Sequence, residues 1–246
     1  MRVLVISDVH ANLVALEAVL AEAANEPYDA VWCLGDLVGY GPHPNECVER
    51  VRALDPLVCL VGNHDKAVLG ELDINSFNID ARTAILWTRE ALALENRQYL
   101  QSLEPLKKIG DFTLVHASPR QPVWEYVLNR YIARENFPCF DTPFCLVGHT
   151  HVPVVYNEAA GPDGECGEIA PDYERPLPLN GQRLIINPGS VGQPRDSIPD
   201  AAYAFLDTAT RVWEYRRTAY DIAATQREMR TARFPERLIV RIAYGW

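Results

Sequence analysis

Apolar residues in this chain gather in short unbroken runs at 3–6, 31–34, 57–61, 112–115, 144–147 and 184–186. Continuous rather than alternating apolar character predicts strands that are buried on both faces. Between the first two runs, Leu13, Leu16 and Leu20, with Ala23 and Ala24, mark one face of a helix. Residues 79–103 read as one longer helix, with Ile85, Leu92 and Tyr99 at sevenfold spacing and Pro105 ending it. The first half therefore predicts β-α-β-α-β with a parallel sheet. The second half differs. Strand-like stretches at 144–156, 184–187, 201–207 and 211–217 follow one another with little helix between them. Residues 157–182, rich in Gly, Pro, Asp and Glu, predict a solvated hairpin excursion, and 219–232 a final helix. With no compositional break to mark a linker, a single domain over 1–246 is expected, built of two sheets packed face to face with helices outside.

Composition narrows the class. Of 246 residues, 48% are hydrophobic and 23% charged, which suits a soluble globular protein. No apolar run approaches the roughly 20 residues that a membrane span needs. The four apolar residues after Arg2 are too few for a signal-peptide core of roughly 7–15 residues, so a cytoplasmic location is expected. Six cysteines form no CxxC pair, and Cys33, Cys59 and Cys145 lie inside apolar runs as small core residues. A disulfide framework is not expected. A net charge of -10 argues against gripping long nucleic acid through the general surface. It leaves room for a local cationic site, which bound metal ions would supply.

The residues just beyond each run carry the chemistry. Run 3–6 leads into Ser7-Asp8-Val9-His10, and run 31–34 into Gly35-Asp36. Run 57–61 leads into Gly62-Asn63-His64-Asp65, and run 112–115 into His116. Run 144–147 leads into Gly148-His149-Thr150-His151, and run 184–186 into Asn187-Pro188-Gly189-Ser190. Five of the six histidines stand at these strand ends, and only His43 does not. Ligands bind at the carboxyl ends of strands in open α/β sheets. Two aspartates, an asparagine and several imidazoles, with no thiol, suit borderline divalent transition metals. Two carboxylates cannot neutralise two such ions, so the site keeps positive charge for an anionic substrate.

In order and spacing, Asp8-x-His10, Gly35-Asp36, Gly62-Asn63-His64-Asp65, His116 and Gly148-His149-x-His151 resemble the calcineurin-like metallophosphoesterases over residues 3 to about 195. The resemblance implies an α/β fold, a four-layer α/β/β/α sandwich of two mixed sheets. It also implies two divalent transition-metal ions between the sheets, manganese favoured, with zinc, iron or nickel as alternatives. Carried over by motif, one ion takes Asp8, His10 and His151, the other Asn63, His116 and His149, and Asp36 bridges them. Strand alternation would then point His149 and His151 the same way, with Thr150 turned aside. A hydroxide shared by the metals is the implied nucleophile. His64 is implied to act on the substrate rather than on an ion, with Asp65 orienting it.

Departures from the family pattern refine this. The serine/threonine protein phosphatases carry an arginine where this chain has Gly39-Tyr40, and a glutamate where it has Asp65. The chain resembles more the small bacterial and archaeal phosphodiesterases. Arg120 and Arg195 are candidate phosphate-binding groups in place of the missing arginine. Asn187 and Ser190 are candidates for the same rim, and His43 reads as a loop residue. The expected function is hydrolysis of a small phosphodiester. A phosphomonoesterase or protein phosphatase is the alternative within enzymes, and a non-catalytic scaffold of this fold the alternative outside them.

Overall fold

In the computed structural model, which describes residues 1–158 and 165–246, the unbroken apolar runs have a direct explanation. Strand β1 (Arg2–Ile6) turns Val3 and Val5 into a core between two sheets, and Leu4 and Ile6 into a second core beneath helices. In β2 (Ala30–Cys33), Trp32 faces the inter-sheet core while Val31 and Cys33 face outward. With both faces buried, each position of such a strand is apolar, and the period of two disappears from the sequence. Each fully buried aliphatic or aromatic side chain adds roughly 1.5–3 kcal/mol over leaving it exposed.

The first half continues with α1 (Leu13–Ala23), α2 (Pro44–Arg52), β3 (Leu57–Cys59), α3 (Asn63–Leu69), α4 (Ile79–Ala91) and α5 (Leu94–Gln101). Then come β4 (Leu106–Ile109), β5 (Phe112–Val115), α6 (Arg130–Asn136), β6 (Phe144–Leu146), β7 (Val154–Asn157), β8 (Gly167–Ile169) and β9 (Leu177–Pro178). The chain ends with β10 (Leu184–Asn187), β11 (Ala201–Asp207), β12 (Val212–Thr218), α7 (Ile222–Thr231) and α8 (Glu236–Arg241).

Two mixed six-stranded sheets result, ordered β3-β2-β1-β11-β12-β9 and β4-β5-β6-β10-β7-β8. In each, three strands run parallel, β1 to β3 in the first and β5, β6 and β10 in the second. Antiparallel strands flank them. Phe144, Leu146, Leu184 and Ile186 face Val3, Val5 and Trp32 across the inter-sheet core. Outside the first sheet lie residues of α1, α2, α4 and α7, and outside the second Ala133 of α6 with Phe137 and Phe140. The expected four layers are present, the last of them thin. Among the described residues, no helix is long and apolar enough to cross a membrane.

Two expectations need correction, and one strand had no forerunner in the sequence. Residues 79–103 form two helices, because Leu92 and Ala93 take extended backbone (ψ 121° and 150°). Asn45 of α2 compensates the break, accepting from the Ala93 N–H (2.8 Å) and donating to the Ala91 carbonyl (2.9 Å). The 157–182 excursion is no simple hairpin. Its residues 159–164 lie outside the described residues, but β8 pairs with β7 in the second sheet and β9 with β12 in the first. Leu179 anchors this crossing in the inter-sheet core. Strand β4, with sequence LKKI, lacks an apolar run because it is an edge strand whose lysines face solvent, a common guard against edge pairing.

Candidate active site

The parallel strands of both sheets end at one place. Asp8 and His10 follow β1, Asp36 follows β2, and Asn63 opens α3 just past β3. From the second sheet, His116 follows β5, and His149 and His151 follow β6. The first-sheet loops are zipped together by backbone hydrogen bonds, Asp8 N–H to Gly35 C=O (3.0 Å), His10 to Asp36 (2.9 Å) and Ala11 to Leu37 (2.9 Å). The sheets approach so closely that a Cβ on Gly148 would lie 2.1 Å from Ser7 Oγ. A Cβ on Gly62 would lie 2.0 Å from Asp36 Oδ1.

Asp8, His10, Asp36, His149 and His151 all have left-handed backbone, with φ between 49° and 64°. Such conformations cost on the order of 1–3 kcal/mol each and collect where function demands them. They also correct the expectation for His149 and His151. Both lie beyond β6, so it is two left-handed turns, not strand alternation, that bring their rings to the site. Thr150 between them is turned aside, its hydroxyl accepting from Asn187 Nδ2 (2.9 Å).

Two buried groups of donors emerge, Asp8 with His10 and His151, and Asp36 with His116 and His149. Within each group the donor atoms lie within 4.8 Å of one another. Asn63 Oδ1 joins the second group, 3.1 Å from His116 Nε2. Each imidazole is oriented by a backbone carbonyl. His10 Nδ1 contacts Val38 O (3.1 Å), His116 Nδ1 Leu34 O (2.9 Å), His151 Nδ1 Gln193 O (2.6 Å) and His149 Nε2 Trp124 O (3.2 Å). A carbonyl only accepts, so the nitrogen against it carries the proton and the other nitrogen of the neutral ring presents a lone pair. His10 Nε2 and His151 Nε2 therefore face each other as lone pairs at 3.1 Å.

Asp36 lies between the groups. Its Oδ1 accepts the His64 N–H (2.8 Å). Its buried Oδ2 has no hydrogen-bond partner, 3.6 Å from His10 Nε2 and 3.5 Å from His116 Nε2. Burial, and then the Asp65 and Asp8 carboxylates, push the Asp36 acid well above its usual range. Burial likewise holds His10 and His149 well below the ordinary imidazole range, and with Arg195 it lowers His151 to about 4. Neutral imidazoles with opposed lone pairs around an uncompensated carboxylate form a donor set that divalent cations satisfy.

His64 is buried beside the first group. Its ring meets His10 edge-on (4.9 Å) and Tyr40 at a tilt (4.4 Å), and its Nδ1 has no hydrogen-bond partner. Gly39 leaves room for it, since a Cβ there would lie 2.6 Å from that nitrogen. Asp65 does not reach the His64 ring. Its carboxylate accepts from the backbone N–H groups of Asp36 (2.9 Å), Gly62 (2.9 Å) and Val38 (3.1 Å), and so pins the loop that carries Asp36.

The two candidate arginines part company. Arg195 stays at the site, donating to Gln193 Oε1 (2.9 Å), its guanidinium 5.8 Å from the Tyr40 ring centre. Arg120 is bound by Glu125 and Glu135 at the surface, its charge already compensated. Asn187 donates to Gly148 C=O (2.8 Å) and to Thr150, supporting the histidine loop rather than lining a rim. Ser190 donates to Asp8 C=O (2.8 Å) and is likewise structural. His43 pairs with Glu228 (2.9 Å) between α2 and α7. Residues not singled out from the sequence complete the surroundings: Phe77 against His64 and Tyr126 against His149. The WEY triplet that follows the His116 motif was the available signal.

Paired mixed sheets with two metal-capable groups at their shared end define a metallophosphoesterase architecture. The profile of the calcineurin-like phosphoesterase superfamily domain matches residues 1–211, and the chain belongs to that family. The crystal structure of a metallophosphoesterase from Sphaerobacter thermophilus superposes with a TM-score of 0.89 at 49% identity, covering 100% of this chain and 99% of that one. An uncharacterized protein of Methanocaldococcus jannaschii, MJ0912, is 40% identical over 98% of this chain and 97% of its own length. A symmetrical bis(5'-nucleosyl)-tetraphosphatase of Serratia proteamaculans is 34% identical over 55% of this chain, which spans about half (49%) of that relative.

Proposed function

We propose that this protein is a phosphodiesterase that works with two divalent ions, manganese favoured. The observation that carries the reading is the unpartnered Asp36 Oδ2, nearly equidistant from the imidazoles of two separate donor groups. Asp8, His10 and His151 would hold one ion, Asn63, His116 and His149 the other, and Asp36 both. When bound, such a pair supplies a nucleophilic hydroxide near neutral pH and positive charge for the phosphoryl oxygens. The chain's own residues do the rest. Asp65 fixes the backbone around Asp36, and the carbonyls of Val38, Leu34, Gln193 and Trp124 fix the imidazoles, the outer support that ligating histidines need. His64, kept neutral by burial and then by Arg195, donates a hydrogen bond to the leaving oxygen. Arg195, held beside the donor groups by Gln193, supplies a guanidinium for the phosphoryl group.

With Arg120 paired away from the site, a diester is favoured. A monoester dianion carries more charge, and enzymes specialised for it surround the phosphoryl oxygens with more cationic groups. Here Tyr40 stands where the protein phosphatases have an arginine, and Arg120 is paired elsewhere. The name of the Serratia relative adds a second reading, cleavage within a nucleoside polyphosphate. The test compares kcat/KM for bis-p-nitrophenyl phosphate and p-nitrophenyl phosphate at one pH and one manganese concentration. A preference for the diester is expected, and a clear preference for the monoester would overturn the reading. Absence of turnover of both, with both ions bound, would point to a binding scaffold.

A further inference from the structure

The loop from 117 to 129, between β5 and α6, lies against the site with its polarity inverted. A surface loop commonly turns aromatic rings inward and acids outward. Here the side chain of Glu125 is only 14% exposed, whereas its neighbours Trp124 and Tyr126 are 37% and 40% exposed. Glu125 is gripped from three sides. It accepts from Ser118 Oγ (2.7 Å), Asn136 Nδ2 (2.8 Å) and Arg120 Nε (3.1 Å). The grip fixes the aromatic residues on either side of it.

Both rings are tied to the candidate ligands. The Tyr126 ring stacks on the His149 imidazole at 3.7 Å and 24°. The Tyr126 hydroxyl lies beside the Arg195 guanidinium, within reach of a hydrogen bond from it, with Tyr40 and Asp36 close by. Trp124 accepts from His149 through its carbonyl, and its ring meets Phe77 edge-on at 5.1 Å, which in turn meets His64 at 5.1 Å. Next along the loop, Val127 and Leu128 form one wall of a cleft of about 300 Å³ whose other walls include Thr150 and Pro153. Exposed, rigidly held aromatic faces beside a phosphoryl site and an adjoining apolar cleft suit a ligand with one anionic end and one flat end.

We propose that Trp124 and Tyr126 form a stacking subsite for the nucleobase of a nucleotidyl phosphoester, with Arg120 and Glu125 as positioning residues that fix the two rings. The proposal rests on the phosphoesterase reading above and names the substrate class of that site. A nucleobase fits better than a phosphotyrosine peptide. His64 and His149 are nearly inaccessible (4% and 2%), and a net charge of -10 offers little to an extended acidic chain.

The test measures binding of AMP, ribose phosphate and phosphotyrosine to the manganese-loaded protein by calorimetry, with turnover of bis-p-nitrophenyl phosphate measured in parallel. AMP should bind at least about tenfold more tightly than ribose phosphate, the weight of one base–aromatic stack. Trp124→Ala and Tyr126→Ala should each cut AMP affinity about ten- to a hundredfold, at least about tenfold more than they weaken ribose phosphate. Trp124→Phe and Tyr126→Phe, which keep a ring, should restore most of the loss. Equal affinity for AMP and ribose phosphate would overturn the subsite, as would a parallel loss of both in the alanine variants. Tighter binding of phosphotyrosine than of AMP would overturn it in favour of a peptide. AMP selectivity without diester turnover would support the subsite and count against the phosphodiesterase reading. Turnover without AMP selectivity would do the reverse.

Discussion

The first sheet brings both carboxylates to the site, Asp8 and Asp36, whereas the second brings three imidazoles and no acid. They also hold their donors differently. First-sheet loops are zipped to one another, backbone to backbone, and Asp65 adds three more backbone hydrogen bonds. Second-sheet imidazoles are each set by a single carbonyl, from Leu34, Trp124 or Gln193. Neither sheet completes a donor group alone. Asp8 and His10 need His151, and Asp36 needs His116 and His149. The division teaches that anionic and neutral donors meet only when the sheets pack, so folding and formation of the site are one event.

The sharpest way to break this comparison is Asp36→Asn, which keeps the shape and removes the charge that both groups share. Affinity for both ions should fall by more than about a hundredfold, beyond the roughly 10–100-fold typical of an outer supporting residue. Turnover should nearly vanish. His151→Ala should weaken only the first ion, and His116→Ala only the second. Metal content and affinity can be measured on each variant by elemental analysis and calorimetry. Two ions bound by Asp36→Asn with unchanged affinity would show that the groups are independent.

The comparison also explains what was legible in the sequence. Strands buried on both faces leave unbroken apolar runs, so β1, β2, β5 and β6, which end at the site, stood out, and so did the residues after them. What depends on side chains meeting across the chain was not legible. Nothing local in 79–103 announces that Asn45 will cap the break at Ala93. Leu179 gives no sign that it will carry the excursion into the inter-sheet core. Arg120 and Arg195 look alike as lone arginines after motif strands, and only Glu125 and Glu135 tell them apart. The left-handed backbone of His149 and His151 likewise has no sequence mark, since neither is glycine or asparagine.

A smaller effect separates chemistry from assembly on the first sheet. The backbone of His64 supports Asp36, but its ring Nδ1 makes no hydrogen bond. His64→Gln should therefore keep both ions and lower kcat by a factor of about 10²–10⁴, the usual range for an acid–base group. Metal titration beside the kinetics decides the matter. Loss of one ion in this variant would make His64 a ligand, and the first sheet would then supply an extra imidazole.

The mildest effect concerns the metal-free protein, in which Asp36 responds to pH in the direction opposite to Asp8 and the buried imidazoles. His151 titrates near 6.5 when unfolded and is lowered to about 4 in the fold, by burial and then by Arg195. Its stabilising contribution is complete above pH 6.5 and is lost as pH falls through about 4, because only the unfolded chain takes up the proton. At about 1.4 kcal/mol per unit, His151 alone accounts for on the order of 3 kcal/mol. His10 and His149, also lowered by burial, act in the same direction. Asp36, raised by burial, opposes them, since its folded form prefers the proton and its penalty shrinks as pH falls. Asp65 is raised by burial as well, but these two carboxylates are outnumbered by His10, His64, His149 and His151, so the thermal midpoint in the presence of a chelator should drop between about pH 7 and pH 4.5. Asp36→Asn should raise the metal-free midpoint at neutral pH, where Oδ2 of the wild-type carboxylate is buried without a partner, and should steepen the fall toward acid. Thermal unfolding of both proteins in chelator across that range checks both statements. A midpoint that is flat or rises toward acid would mean that His149 and His151 are not held neutral.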